Sequence, residues 1–490
     1  MKRILVLLAT CLMLSATGLR SQNVGIGTPS PGGKLHIKGA ADASQLIIDA
    51  HNTQSNTSPL IKLRNSLGND RLWIHSDTVL NTFIGIYAGR VNNAVGGGVF
   101  NTYTGSHAGY SGTTGNSNSG FGANSLFSNA VGNFNSAHGL NSLFSNISGS
   151  WNTAIGANAL FANTTGNNNT AVGNTALISN TNGSSNTAIG SDAMNHNTSG
   201  TINTASGFKA LYSNTTGEAN TACGSNALFS ITTESGNTAV GSNALYNTSA
   251  SANTAIGYNA LVYTTTGASN TAVGMFSLVS NTTGNLNTAC GLESLNANTS
   301  GGNNTAIGYN ADVSVENLNY AIVLGANATV NASNKVRIGN GSVSVIEGQV
   351  AYSWPSDGRF KENIADDVKG LDFILKLHPV SYNFNRLKFA QHVRENISVE
   401  REEVLVAQSQ HRSVGFVAQD VEKIIQETGF SSFDAVHAPT NETDNYSMGY
   451  AVFVVPLVKA VQEQQLMIEE QNQKIEFLLK EIQLIKQQLK

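Results

Sequence analysis

The chain has 490 residues, only 12% of them charged against the ~25% usual for a soluble globular protein, and a formal net charge of −4. That balance excludes an electrostatic nucleic-acid binder; 49 Gly beside 7 Pro exclude a collagen-like or polyproline chain, and 3 Cys cannot build a disulfide framework. The charge is also unevenly placed: residues 101–308 hold five charged side chains (Asp192, Lys209, Glu218, Glu234, Glu293), whereas 356–490 hold 35 of the chain's 58. At roughly 100–200 residues per domain, the length suggests two to four domains.

In chain order, Met1-Lys2-Arg3 precedes the apolar run Ile4–Leu14 and a group of small residues. This is the pattern of a secretory signal peptide over 1–21, too short for a membrane span, and it predicts export to the medium or cell surface without a membrane span. Residues 22–80 are expected to form an N-terminal β segment. Within it Asn23–Ile37 is similar to a segment common in secreted fibre-like proteins, and Val24-Gly25-Ile26-Gly27 lacks the third Gly of a dinucleotide loop.

Residues 81–312 are a 17-residue repeat, N-T-A-[IV]-G-x-x-A-L-x-x-N-T-T-G-x-x. Its leading Asn recurs from Asn101 to Asn237 at steps of 17, then after one step of 16 from Asn253 to Asn304. The Leu slot holds Leu or Met194 in eleven internal units and departs at Gly109 and Asp312, as the capping units of a stacked array should. Each unit is too short to bury a core alone. Stacking at ~4.8 Å would place Ile/Val, Ala and Leu in interior ladders, with Asn and Thr in hydrogen-bonded rows, over about 60 Å. A charge in such a ladder would sit above its own copy, which accounts for the scarcity of charge. Cys223 and Cys290 are read as buried small residues in the Ala slot, too far apart for a disulfide. The carboxylates lie in separate units, unlike a glycosidase pair, and no Cys/His cluster or cofactor motif is present, so neither cofactor nor metal is expected. The many Asn-x-Thr/Ser tripeptides follow from the ladder itself. The units resemble the head repeats of trimeric autotransporter adhesins, which implies a three-chain β-prism; a single-chain β-solenoid remains the other architecture.

Residues 313–355 read as a β neck. Composition then changes at Trp354-Pro355-Ser356-Asp357-Gly358-Arg359-Phe360-Lys361. A helix is expected within Val368–Leu377, strands at Pro379–Phe384 and from Ser413, a helix through Ile425, and β structure over Tyr446–Val455. From Leu457 to Leu489 apolar residues alternate spacings of four and three (Leu457, Val461, Ile468, Ile475, Leu478, Ile482, Ile485), with Gln464 and Gln471 in the seam. This heptad predicts a coiled coil over 457–490 about 50 Å long. The fold class is therefore mainly β, a repetitive rod followed by a small α+β domain (356–456) and a long coiled-coil helix, expected to be trimeric.

S-D-G-R-F-K-E-N-I, then V-G-F-V-A-Q-D-V-E-K, then Y-x-x-x-Y before the terminal heptads resemble, over Ser356–Lys490, the self-cleaving intramolecular chaperone of endosialidases and phage tail spikes. The resemblance implies a homotrimerising module that guides assembly of the fibre before it and then cuts itself away. It implies Ser356 as nucleophile, Lys361 as its partner and Pro355–Ser356 as the scissile bond. Ser356 Oγ is tethered beside its target carbonyl, which removes much of the entropic cost of encounter. A neutral lysine can act as the base where burial or nearby positive charge lowers its pKa from ~10.4; Arg359 is a candidate for that charge, and Asp357 for ordering the turn. The expected function is an exported fibre- or adhesin-like protein matured by a Ser–Lys autoprotease. The alternatives are a surface protein that binds or acts on a cell-surface glycan or receptor, and a trimerisation module that never cuts.

Overall fold

The computed structural model describes residues 24–26, 35–37, 48, 58–349, 353 and 355–489. The signal peptide expected over 1–21 lies outside the described residues.

The repeat folds as a β-solenoid. Each unit gives one three-residue strand, and successive strands pair in parallel and in register, Thr170–Val172 on Thr187–Ile189 and so along the rod. The ladder starts at Thr82–Ile84 and continues past residue 312 through Ile322–Leu324 to Val336–Ile338. One chain closes each turn by itself, with Ala154, Ala159 and Leu160 fully buried in one turn and their counterparts in the next. The rod is thus the single-chain solenoid of the two architectures left open by the repeat.

Two rows of asparagine hold the turns together. Asn186 Nδ2 donates to Gly200 O at 2.8 Å, and its Oδ1 accepts from Asn203 N at 3.0 Å and Asn203 Nδ2 at 3.2 Å. The bonds to backbone groups recur from Asn101 to Asn304; the amide-to-amide bond recurs in most turns but is not made by Asn220, Asn237, Asn253 or Asn304. The second row uses the Asn of N-T-T-G: Asn163 Nδ2 donates to Asn146 Oδ1 at 2.7 Å and Gly166 O at 3.1 Å. Both rows are buried, so each amide satisfies backbone groups that turns of this tightness leave without strand partners. The second row is interrupted at Ile231, where Asn214 Oδ1 is left with no partner, and resumes with Asn298 Nδ2 donating to Asn281 Oδ1 at 2.9 Å.

The interior differs from the expected one. In Thr-Ala-Ile the Ala points inward, and the flanking Thr and Ile face out: Ile155 is 44% exposed and Ile307 48%. A three-residue strand alternates sides, and the inner slot has room only for Ala because Leu from across the turn fills the core. The Ile/Val ladder therefore lies on the outside of the rod. Cys223 and Cys290 follow the inward Ala rather than replace it, so both are exposed free thiols instead of buried residues.

The Leu slot also has a backbone requirement. Leu160, Leu177 and Met194 sit at φ 51°, 53° and 49°. Left-handed backbone costs roughly 1–2 kcal/mol, which full burial of a Leu side chain, worth about 1.5–3 kcal/mol, offsets. A β-branched residue would be strained there, which is why the slot holds Leu or Met and never Ile or Val. At the N-terminal end the volumes exchange: Phe83 and Tyr103 take the Ala slot, and their rings occupy the space a Cβ would need at Gly89 and Gly109. Below that end an antiparallel pair, Ile61–Arg64 with Asp70–His75, covers the first strand through Ile74–Ile84 pairing. This blunts what would be an open sheet edge.

The C-terminal module is a small α+β unit. Helix α1 (Leu371–Ile374), α2 (Arg386–His392), α3 (Val399–Gln408), α4 (Ala418–Thr428) and α5 (Val454–Gln488) accompany an antiparallel pair, Val380–Asn383 with Arg412–Gly415. Its core packs Phe373, Phe430, Phe433 and Phe453 ring against ring with Val421 and Ala435. The stretch expected as β over Tyr446–Val455 holds only the two-residue strand Ser447–Met448, then a 3-10 turn and the start of α5. Helices α2 and α3 were not foreseen from the sequence. Helix α5 runs 35 residues, its base fixed by Glu463, whose carboxylate accepts from Leu371 N at 2.7 Å.

Candidate functional site

The S-D-G-R-F-K segment forms a tight turn at the entrance to the module. Asp357 caps the 3-10 turn Gly358–Phe360, its carboxylate accepting from Arg359 N at 2.9 Å. Lys361 N closes the turn on Gly358 O, which folds the Lys361 side chain back over the start of the segment. Its Nζ lies 2.7 Å from Ser356 Oγ and donates to it. Four backbone positions separate nucleophile and amine, and the turn turns that separation into direct contact.

Arg359 does not face Lys361. Its guanidinium is engaged on Asp357, with Nη2 to Oδ2 at 2.6 Å. This hydrogen bond and that of the Arg359 backbone N–H hold the Asp357 carboxyl below the usual carboxylate range. Arg359 and Asp357 therefore act as a pair that shapes the turn. Pro355, Ser356 and Lys361 are all exposed, as are the apolar side chains of Phe360 (81%) and Ile364 (79%) beside them. The single chain thus presents the two groups in contact but open to solvent, with nothing packed over them.

The other two motif segments meet inside the module. Phe416 N donates to Tyr450 Oη at 3.0 Å, and Tyr446 Oη donates to Glu422 Oε2 at 3.0 Å. V-G-F-V-A-Q-D-V-E and Y-x-x-x-Y are thus two sides of one structure, and with Tyr382 and Phe389 they line a hollow of about 510 Å³. The Ser356–Lys361 turn is not among its lining residues.

The seam of α5 is uncovered. Val461, Ile475, Leu478, Ile482 and Ile485 are between 47% and 62% exposed. The stretch Tyr450–Gln488 is long and apolar enough to cross a membrane by length and composition alone, with one 18-residue window of mean hydropathy 1.2. Charged residues recur along it at Lys459, Glu463, Glu469, Glu470, Lys474, Glu476, Lys480, Glu481 and Lys486, a distribution that suits a solvated amphipathic helix rather than a lipid-facing one. Among the described residues no group of three or more His, Cys, Asp or Glu is placed to hold a metal.

A repetitive solenoid ending in a compact α+β unit with a long unpaired helix is the build of a fibre-like protein that carries an assembly module. In agreement with this, residues 356–430 match the family model described as the chaperone of endosialidase. The match begins at Ser356 itself and ends at Phe430, two residues past α4. No curated protein and no solved structure matches the chain.

Proposed function

We propose that the protein is an exported fibre or adhesin-like rod whose C-terminal domain trimerises, guides assembly of the rod and then cuts itself off at Pro355–Ser356. The observation that carries this reading is the 2.7 Å contact between Lys361 Nζ and Ser356 Oγ at the first residue of the chaperone-of-endosialidase match. Self-association through the α5 seam supplies the cover that the single chain lacks. Once Phe360 and Ile364 pack against partner copies, water leaves the turn and the neutral form of the amine is favoured.

The chemistry then follows acyl transfer. Lys361 takes the proton of Ser356 Oγ as the oxygen attacks the Pro355 carbonyl carbon, and the C–N bond to the Ser356 nitrogen breaks. The proton passes to the departing amine, leaving the Pro355 acyl group esterified to Ser356 Oγ; water hydrolyses that ester and frees the module. A long array of near-identical turns is prone to register slips within the chain, and a folded module at its last turn gives the stack one fixed end, while a coiled coil brings the copies together there. Removal of the guide makes assembly hard to reverse. The test is expression of the full chain with Ser356→Ala and, separately, Lys361→Ala. Wild type should yield two fragments on a denaturing gel and both variants one full-length band. Fragmentation of Ser356→Ala at the same place would overturn the assignment.

The second reading, a glycan- or receptor-binding rod, draws on the exposed Ile/Val and Thr rows, which repeat with the turns along the solenoid. Binding of the rod fragment to a glycan array tests it.

A further inference from the structure

The module does not merely hang from the rod by residues 342–355. It grips the last turns of the solenoid through a polar surface, every rod-side member of which lies before the proposed cut and every module-side member after it. Asn331, 2% exposed, donates from Nδ2 to Thr443 O at 2.6 Å and to Asn445 Oδ1 at 3.0 Å, while its own carbonyl accepts from Asn441 Nδ2 at 2.8 Å. Ser314 Oγ meets Thr443 Oγ1 at 2.8 Å. Lys335 Nζ sits 2.8 Å from Asp444 Oδ1, and Arg337 Nη2 lies 3.2 Å from Glu395 Oε1. Both carboxylate side chains are fully buried, and each has further partners within the module. Asp444 Oδ2 is held by His437 Nε2 and by Thr440 N and Oγ1, and Glu395 Oε2 by Arg401.

We propose that this surface is a clasp that outlives the cut, so that cleavage at 355–356 and release of the module are two separate events. The proposal rests on reading 356–490 as a module that is severed from the rod. Three observations carry it. The clasp uses two fully buried carboxylates, and breaking one partner of such a pair exposes the other to the full cost of an unpaired buried charge. Residues 342–349, 353 and 355–367 are exposed, and no hydrogen bond or ion pair joins them to the clasp, so severing the chain there removes none of its bonds. The clasp also holds Ser314 and Asn331, the residues that directly follow the paired strands Asp312–Val313 and Thr329–Val330 near the end of the solenoid. Burial alone would raise the Asp444 carboxyl, yet the hydrogen bonds from Lys335, Thr440, Asn445 and His437 outweigh it and hold the group well below the carboxylate range.

The partner this surface fits is therefore the finished end of the rod itself. Only a correctly registered last turn presents Ser314, Asn331, Lys335 and Arg337 together, so the clasp also reads the register of the solenoid before the module leaves.

The test uses the full chain with Ser356→Ala and a recognition sequence for a site-specific protease inserted between Ser344 and Val345, so that the cut is made by the added protease. After cutting, the two fragments should co-elute on size-exclusion chromatography at low salt. With Lys335→Glu and Arg337→Glu the module should dissociate about 30-fold faster or more, and Asn331→Ala should also accelerate release; far-UV circular dichroism of the uncut variants checks that they fold. Fragments of the otherwise unaltered chain that separate at once on cutting would overturn the clasp, as would clasp variants that stay together like the parent. A protein that never cuts itself leaves this experiment's outcome unchanged, so failure of the autoproteolytic reading and failure of the clasp are told apart.

Discussion

Replacing Asn186 by Ala removes one link of the first asparagine row midway along the rod. The side chain is fully buried, and its loss leaves Gly200 O without its 2.8 Å donor and Asn203 N without its 3.0 Å acceptor. Asn169 Oδ1 keeps a partner, because the backbone N–H of residue 186 still donates to it. Gly200 O still accepts from Asn197 Nδ2 at 3.2 Å, so one buried backbone group, the Asn203 N–H, is orphaned, at about 1–3 kcal/mol. Because a solenoid turn touches only its neighbours, the damage should be local. Amide hydrogen exchange is the suitable assay: Asn203 and its neighbours should lose protection by a factor of about 5 or more, while amides several turns away stay as in wild type. Asn182→Ala, at an exposed position of the same turn, should change exchange little, within about 0.5 kcal/mol. Equal effects of the two substitutions, or unchanged protection at Asn203, would refute the claim that the asparagine row holds the turns.

Other consequences follow from single positions. Gly173→Ala should destabilise severely or block folding, because φ is +140° and the added Cβ would lie 2.4 Å from Gly190 O; expression level and thermal melting check it. Burial pushes Asp312 up to about 7 against the N–H donors of Val313 and Ala297, so its folded form holds the proton more tightly than the unfolded form does. The solenoid end should then lose stability as pH rises from about 4 to 7, by up to about 4 kcal/mol, and Asp312→Asn should flatten that dependence in melting curves. Ile475→Lys with Ile482→Lys should abolish self-association in sedimentation experiments and leave far-UV circular dichroism of the module's core largely unchanged, since both side chains are exposed in the single chain.

The repeat was legible because hydrogen-bonded rows demand one residue type at each slot: Asn at 101 to 304 cannot be exchanged for anything that both donates and accepts at that length. The side each residue faces was harder to read. Thr-Ala-Ile suggests the larger aliphatic inside, but the core space is claimed by a Leu held in left-handed backbone, a conformation that propensity would not assign to Leu. The position of Cys223 and Cys290 follows the same rule, one residue after the inward Ala. In the module, the heptad and the motif segments stood out, while α2 and α3 lacked a clear apolar period. The clasp was invisible for another reason: Asn441–Asn445 reads as an ordinary polar loop, and its partners lie about 110 positions earlier in the chain.

The contact between Ser356 and Lys361 gives the most direct test of the whole account. Denaturing mass spectrometry of the protein recovered from its producing cells should find a 135-residue C-terminal fragment beginning at Ser356, and only full-length chain from Ser356→Ala. An intact chain in wild type, or a fragment beginning at another residue, would contradict it.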